Sequence, residues 1–191
     1  MELITIKTPE EIEKMRAAGR LTARARALAG SMIRPGVTTG EIDREVHKFI
    51  RGHGAKPSFL GYGGFPGSIC ASVNEVVIHG IPGSRRLEEG DIVSIDVGAY
   101  LHGFHGDCAA TFPCGKVSAE ARQLMEVTRE SFWKGIAQAK AGNRVRDIGH
   151  AVQQYVESFG YGVVRDFVGH GVGRQMHEPP EVPNYGPGGH G

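Results

Sequence analysis

DVGAYLHGFHGD, residues 96–107, begins and ends with an aspartate and holds only glycine, apolar, aromatic and histidine residues between them. Strand-like runs flank it, DIVSI before and CAATF after, so residues 91–112 read as an antiparallel β-hairpin. A turn centred on Leu101-His102 sets Asp96 directly opposite Asp107, with Cβ atoms about 5 Å apart. Like charges there destabilise the pair, and a bound cation reverses that sign. Two carboxylates on one face at this separation can ligate or bridge two metal ions held roughly 3.5–4 Å apart. Ile95 and Val97 then face the other way, to pack against helices. The same residues also fit aspartates that merely cap a turn. A bulge at Gly98 or Gly103 would shift the register, so spacing alone leaves both readings open.

Around the hairpin, capping signals place four helices. Thr8-Pro9-Glu10-Glu11 carries a capping box with Pro at the first helical position, and Ile12, Met15, Ala18, Ala25, Leu28 and Met32 form one apolar stripe. A second helix starts near Thr38 or Thr39, buries Ile42, Val46, Phe49 and Ile50, and stops at Gly52 to Gly54. The third is predicted over about residues 118–141. The fourth begins after Asn143, buries Ile148, Val152, Tyr155, Val156 and Phe159, and ends at Gly160. SICASV, EVVIHG, DIVSIDVGAY, GDCAATF and GVVRDFVGHG read as strands.

This order contains a repeat. RPGVTTGEIDREVHKFIRGHG laid on KAGNRVRDIGHAVQQYVESFG puts Gly36 on Gly142, Ile42 on Ile148, Val46 on Val152 and Gly54 on Gly160, an offset of 106 residues. Two amphipathic helices of equal length also align by chance, but here the flanking glycines match as well. The expected architecture is α+β, with two pseudo-symmetric helix–helix–strand units around an antiparallel sheet. At this offset the counterpart of Asp96 falls beyond Gly191, so the second unit is expected to be incomplete.

Composition narrows the function classes. A chain of 191 residues, 40% hydrophobic and with a net charge of +1, fits one domain with no electrostatic case for nucleic acid or an anionic membrane. No signal-type or membrane-spanning segment is read from it. Cys70, Cys108 and Cys114 lack CxxC spacing, which argues against a disulfide framework and points to a reducing cytoplasm. GYGGFPGS and GHGVGRQ match neither phosphate-binding glycine motif. Among nine histidines, His79 and His170 each end an apolar run beside glycine, and His177 follows in a proline-rich loop, MHEPPEVPNY. His47, His53, His102, His105, His150 and His190 read as surface or turn residues. A carboxylate pair with imidazole suits Mn, Fe, Co or Zn rather than a calcium cage, and such a site serves amide or ester hydrolysis.

PSFLGYGGFPGSICASVNEVVIHGIP, DIVSIDVGAYLHGFHGDCAATF and VGHGVGRQMHEPPEVPNYG together resemble the type I methionine aminopeptidases of the pita-bread metallopeptidases, over nearly the whole chain. The resemblance implies a single cytoplasmic catalytic domain, monomeric, using two divalent metal ions (Co, Mn, Fe or Zn). It implies removal of initiator methionine from nascent polypeptides at the ribosome when the second residue is small. By motif, Asp96, Asp107 and His170 resemble metal ligands. His79 resembles the histidine near the substrate amine and scissile amide, and His177 the one that contacts the substrate carbonyl. Phe59, Tyr62, Phe65, Cys70 and Met176 fall where the methionine pocket lies; aromatic walls and sulfur suit a thioether, although aromatics in a glycine-rich loop can also be plain anchors.

The resemblance also implies two glutamate ligands, both in the stretch after Gly191. On that reading the chain is a C-terminally truncated fragment, expected to be poorly stable and nearly inactive alone, with apolar faces of its third and fourth helices uncovered. A non-catalytic module of the same fold and a proline-specific peptidase of that fold are the alternatives.

Overall fold

Helix α1 (Pro9–Met32) starts at the expected capping box: the Thr8 hydroxyl accepts from the Glu11 N–H at 3.2 Å and the Glu11 carboxylate accepts from the Thr8 N–H at 2.8 Å. Its buried stripe differs from the expected one. Ala18, Leu21, Thr22, Ala25 and Ala29 are buried, whereas Ile12 is exposed and Met15, Leu28 and Met32 are only partly covered. The reason is close approach. A Cβ placed on Gly106, in the strand beneath, would lie 2.6 Å from the Thr22 hydroxyl and 2.7 Å from the Ala18 carbonyl carbon. Only small residues fit where helix and sheet come this close. Gly106→Ala is therefore expected to cost about 1–3 kcal/mol by overpacking, read as a melting temperature lower by roughly 2–10 °C.

Helix α2 (Thr39–Gly52) matches expectation, with a second capping box at Thr38 and Glu41 and with Ile42, Val46 and Ile50 fully buried. On its other side the Asp43 carboxylate accepts from the N–H groups of Ser68 and Ile69 at 2.7 and 3.0 Å, which fixes where the next long strand begins. Strands β1 (Lys56–Pro57), β2 (Ile69–Val73), β3 (Ile92–Leu101) and β4 (Phe104–Pro113) form an antiparallel sheet. Strand β3 is central, with β4 along one side and β2 and β1 along the other. Period-two alternation sends Val93, Ile95, Val97 and Ala99 into the core with Ile69, Ala71, Leu21, Ile42, Val46 and Ile50. EVVIHG is not a strand: residues 74–80 form a loop, with Val76, Val77 and Ile78 exposed. β-Branched composition without a partner strand to pack on does not make one.

Helix α3 (Ala119–Ile136) stops short of residue 141, and α4 (Val145–Glu157) follows. The starts of α2 and α4, Thr39 and Val145, obey the repeat offset. Glu41 and Asp147 then occupy the same helical position and accept the N–H of Thr38 and Arg144 respectively. The α3–α4 contact is close at Gly135, where a Cβ would meet Val152 Cγ2 at 2.8 Å. Ile148, Val152, Tyr155 and Val156 are only half-buried, and Phe159, expected inside, is exposed, as are Phe132, Trp133 and Ile136 of α3. GVVRDFVGHG contributes only its last three residues to a strand, β5 (Gly169–Gly171). The proline-rich segment expected to be a loop supplies its partner, β6 (Glu178–Val182), with His170 opposite Glu181. A two-stranded ribbon is all edge, which tolerates prolines that lack an N–H. Residues 186–190 run along α4: Gly189 N–H donates to the Asp147 carboxylate at 2.6 Å and Arg146 N–H to the His190 carbonyl at 3.0 Å.

The computed structural model describes residues 4–191. They divide into one unit of residues 5–118 with 172–176, which carries the sheet of β1 to β4 and the large core, and a second of residues 119–171 with 177–191.

Candidate metal and substrate site

The hairpin turn is His102-Gly103, not Leu101-His102: Leu101 pairs with Phe104, and both turn residues have positive φ, 53° and 88°. That is the requirement of a type I′ turn, whose twist matches the flanking strands. The register therefore slides by one residue on each strand. Asp96 pairs with Ala109, and Asp107 pairs with Gly98. The expected direct opposition of the aspartates is incorrect, but a slide of this kind preserves side-chain parity. Both remain on the face opposite the α1 core, as diagonal neighbours. Gly98 offers no side chain across from Asp107, and the space over it is taken by Phe59 and Ser58.

The two carboxyl groups do meet. Asp107 is pushed up from the ordinary aspartate range to about 8, first by burial, then by the Asp96 charge, then by a hydrogen bond shared with Asp96. The pair thus holds a proton in common at neutral pH. Cys70 of β2 pairs with Asp96 across the strands and shares its face. Its thiol is pushed up to about 12, chiefly by burial and further by Asp96 and Asp107. A thiol held so far above neutral pH is no nucleophile. It is a neutral, polarisable side chain beside the acids.

An apolar cluster adjoins the acids. Phe59, Cys70 and Met176 are buried together with Phe65 packed on them. The Phe59 ring occupies the space over Gly98, where a Cβ would lie 2.6 Å from Phe59 Cε1. Four of the five expected pocket residues therefore converge. Tyr62 does not join them: it lies in a short 3₁₀ turn (Tyr62–Gly64) and is exposed.

His79 is exposed in the 74–80 loop with a positive φ of 56°. The loop is pinned at both ends. At one, Asn74 donates from its amide to the Asp91 carboxylate at 2.8 Å and accepts from the Ile92 N–H at 3.0 Å. At the other, Gly80 N–H donates to the Ser72 hydroxyl at 3.1 Å and the Gly80 carbonyl accepts from the Ala71 N–H at 2.8 Å. Burial raises Asp91, but the Glu88 N–H, the Asn74 amide and Arg85 outweigh it and leave the carboxyl below its usual range. This anchor is therefore present above pH about 4 and is lost as pH falls below that. Asn74→Ala is expected to free the loop, seen as faster amide exchange at Gly80 and a stability loss of about 1–3 kcal/mol.

In the second unit, His170 and His177 lie ring against ring, centroids 4.1 Å apart. His170 Nδ1 is 2.9 Å from the Gly171 carbonyl. A ring that donates from Nδ1 carries its lone pair on Nε2, the metal-competent tautomer.

Ser58 and His105 were not among the expected site residues, and His105 was expected at the surface. It is half-buried on the acid face, with Nδ1 2.8 Å from the Ser58 hydroxyl. Its parity with Asp107, two residues on, was the available signal.

Among the described residues, no group of three or more His, Cys, Asp or Glu side chains is gathered tightly enough to cage an ion. Asp96 and Asp107 form a two-residue donor set. Its chemistry fits a divalent cation, since hard carboxylate oxygens that must share a proton when alone accept a positive charge in its place.

Residues 13–190 match the family model of metallopeptidase family M24. The chain belongs to metallopeptidase family M24. Within the family it is similar to the methionine aminopeptidase of Clostridium acetobutylicum, 56% identical over 190 residues that cover 99% of this chain and 76% of that protein. The crystal structure of methionine aminopeptidase from Rickettsia prowazekii matches with a TM-score of 0.96 at 43% identity, covering 98% of this chain and 75% of that one. The prolidase from Pyrococcus furiosus is more distant, with a TM-score of 0.83 at 27% identity over 94% of this chain and 52% of its own. The α+β pita-bread architecture expected from sequence is thus the fold of this M24 chain. No described helix is long and apolar enough to cross a membrane.

Proposed function

We propose that this M24 chain removes the N-terminal methionine from nascent polypeptides whose second residue is small. The observation that carries this is the apolar, sulfur-lined cluster of Phe59, Phe65, Cys70 and Met176 set against an acid pair. Such walls suit an unbranched thioether side chain. Relatives named methionine aminopeptidase at 56% and 52% identity support the same reading. In it, residues 1–191 belong to a single catalytic domain and lack its C-terminal part, and the protein is monomeric and cytoplasmic, meeting its substrates as they leave the ribosome.

Asp96, Asp107 and His170 are proposed ligands within a site for divalent ions, Co, Mn, Fe or Zn, and the two carboxylates are the part of it that the described residues bring together. Divalent ions held there would supply a lowered water pKa and polarisation of the substrate carbonyl. The chain's own residues do the rest. The cluster around Phe59 holds the methionine side chain and excludes water. His79 stands near the substrate amine and scissile amide and moves a proton to the departing nitrogen. His177 donates to the carbonyl oxygen as it gains charge.

The test is a ratio, which does not depend on the absolute rate. With manganese and enough protein for single turnover, Met-Gly-Met-Met is cleaved roughly 10- to 200-fold faster than Leu-Gly-Met-Met, the range that side-chain packing supplies. Faster cleavage of Ala-Pro than of Met-Gly-Met-Met would instead identify a proline-specific peptidase.

A further inference from the structure

We propose that His105 is a positioning residue for the methionine pocket: through Ser58 and Gly173 it ties together the two chain segments that supply the pocket walls. The inference rests on the methionine-removal reading above. Phe59 and Phe65 belong to a loop that contains three glycines at positive φ, Gly61, Gly63 and Gly64. Met176 belongs to residues 172–176, which form no helix or strand. Apart from the 3₁₀ turn Tyr62–Gly64, no helix or strand holds either segment, yet their side chains must present one shaped wall. His105 touches both. Its Nδ1 meets the Ser58 hydroxyl at 2.8 Å, and its backbone N–H donates to the Gly173 carbonyl at 2.8 Å.

The surroundings fix the ring. It packs on Tyr100, centroids 4.6 Å apart, one cross-strand pair from the turn. Ser58 is buried, and its own N–H donates to the Gly98 carbonyl at 2.9 Å, so the hydroxyl is a fixed anchor immediately before Phe59. Losing the imidazole leaves that buried hydroxyl short of a partner and removes one of the ties at the start of the loop, while the Ser58 backbone bond to Gly98 stays. The Phe59 ring, which fills the space over Gly98, is then less firmly placed.

The experiment is calorimetric titration of the full chain with L-methionine, and separately with manganese, for wild type, His105→Phe, Ser58→Ala and the double variant. His105→Phe keeps a ring on Tyr100 and removes only the nitrogens. Each single variant should weaken methionine binding by about 2- to 10-fold, the worth of one hydrogen bond. The double variant should bind no more weakly than the worse single one, while manganese affinity stays unchanged. His105→Gln, which keeps a donor, should restore part of the loss. Methionine binding by His105→Phe and Ser58→Ala equal to wild type overturns the proposal, as does a parallel loss of manganese affinity, which would mark a general structural role. Absence of methionine binding by the wild-type chain overturns the pocket reading itself and the proposal with it. Should His105→Phe fail to fold, Ser58→Ala carries the same comparison.

Discussion

Replacing Asp107 by Asn is expected to abolish manganese binding near neutral pH and, in the same protein, to raise the stability of the metal-free form above neutral pH. Both effects come from one interaction. In the fold Asp107 keeps its proton up to about 8 because it is buried and faces Asp96, whereas in the unfolded chain an aspartate releases it near 3.9. Its folded pKa is raised, so its contribution to stability is fully present below pH about 4 and is lost as pH rises through about 8. Metal-free wild type should therefore lose stability over that window, by at most about 1.4 kcal/mol per pH unit for one proton. Asn removes the charge that Asp96 repels and flattens this slope. It also removes a ligand. Loss of an outer contact to a metal ligand costs 10- to 100-fold in affinity, so loss of a direct donor should exceed about 100-fold. Manganese at 100 times its Kd stabilises wild type by about 2.7 kcal/mol, or roughly 5–10 °C, and Asp107→Asn should show no such rise. Thermal melts from pH 5 to 9, with and without manganese, read all of this; a variant that still melts higher with manganese contradicts it.

His79→Ala is expected to lower kcat for Met-Gly-Met-Met by about 10²- to 10⁴-fold, the usual worth of a positioned proton-transfer group, with KM and manganese affinity nearly unchanged. The structure explains why the side chain rather than the loop is at stake. Asn74 and Gly80 hold the two ends of the loop through hydrogen bonds of their own. Alanine at a φ of 56° is strained, and His79→Asn, better tolerated at positive φ, supplies the control. Single-turnover rates and calorimetry separate the cases. A fall in manganese affinity matching the fall in rate would place His79 among the ligands, and a rate within fivefold of wild type would remove it from the chemistry.

Period-two alternation through residues 92–113 made the hairpin and its two faces legible in the sequence, and with them the presence of both aspartates on one side. The register was not legible, because Leu-His is not a favoured turn pair and a bulge at Gly98 or Gly103 would shift it, whereas the chain turns at His102-Gly103. Helices α2 and α4 were readable from their caps and large apolar residues. The stripe of α1 was misread because close approach to Gly106 selects alanines, which an apolar stripe built on large residues passes over. EVVIHG carried strand propensity that no neighbouring strand rewards, while EPPEV, depleted of it, pairs because its partner needs few N–H groups. The motif grouped Phe59, Phe65, Cys70 and Met176, and these four pack together. Tyr62 follows the same motif yet faces solvent, since Gly61, Gly63 and Gly64 turn the chain at angles that apolar patterning does not report. His105 was overlooked as one histidine among nine, although its spacing from Asp107 already put it on the acid face.

In the proposed site the Asp96–Asp107 pair holds a proton where a divalent cation belongs. Titration of the chain with manganese at pH 7, in buffers of different ionisation enthalpy, counts the protons released on binding. The expected result is release of about one proton per chain in wild type, falling to none at pH 9 as Asp107 ionises, with no binding heat in Asp107→Asn. Manganese binding that releases no proton at pH 7, or that survives Asp107→Asn, would contradict it.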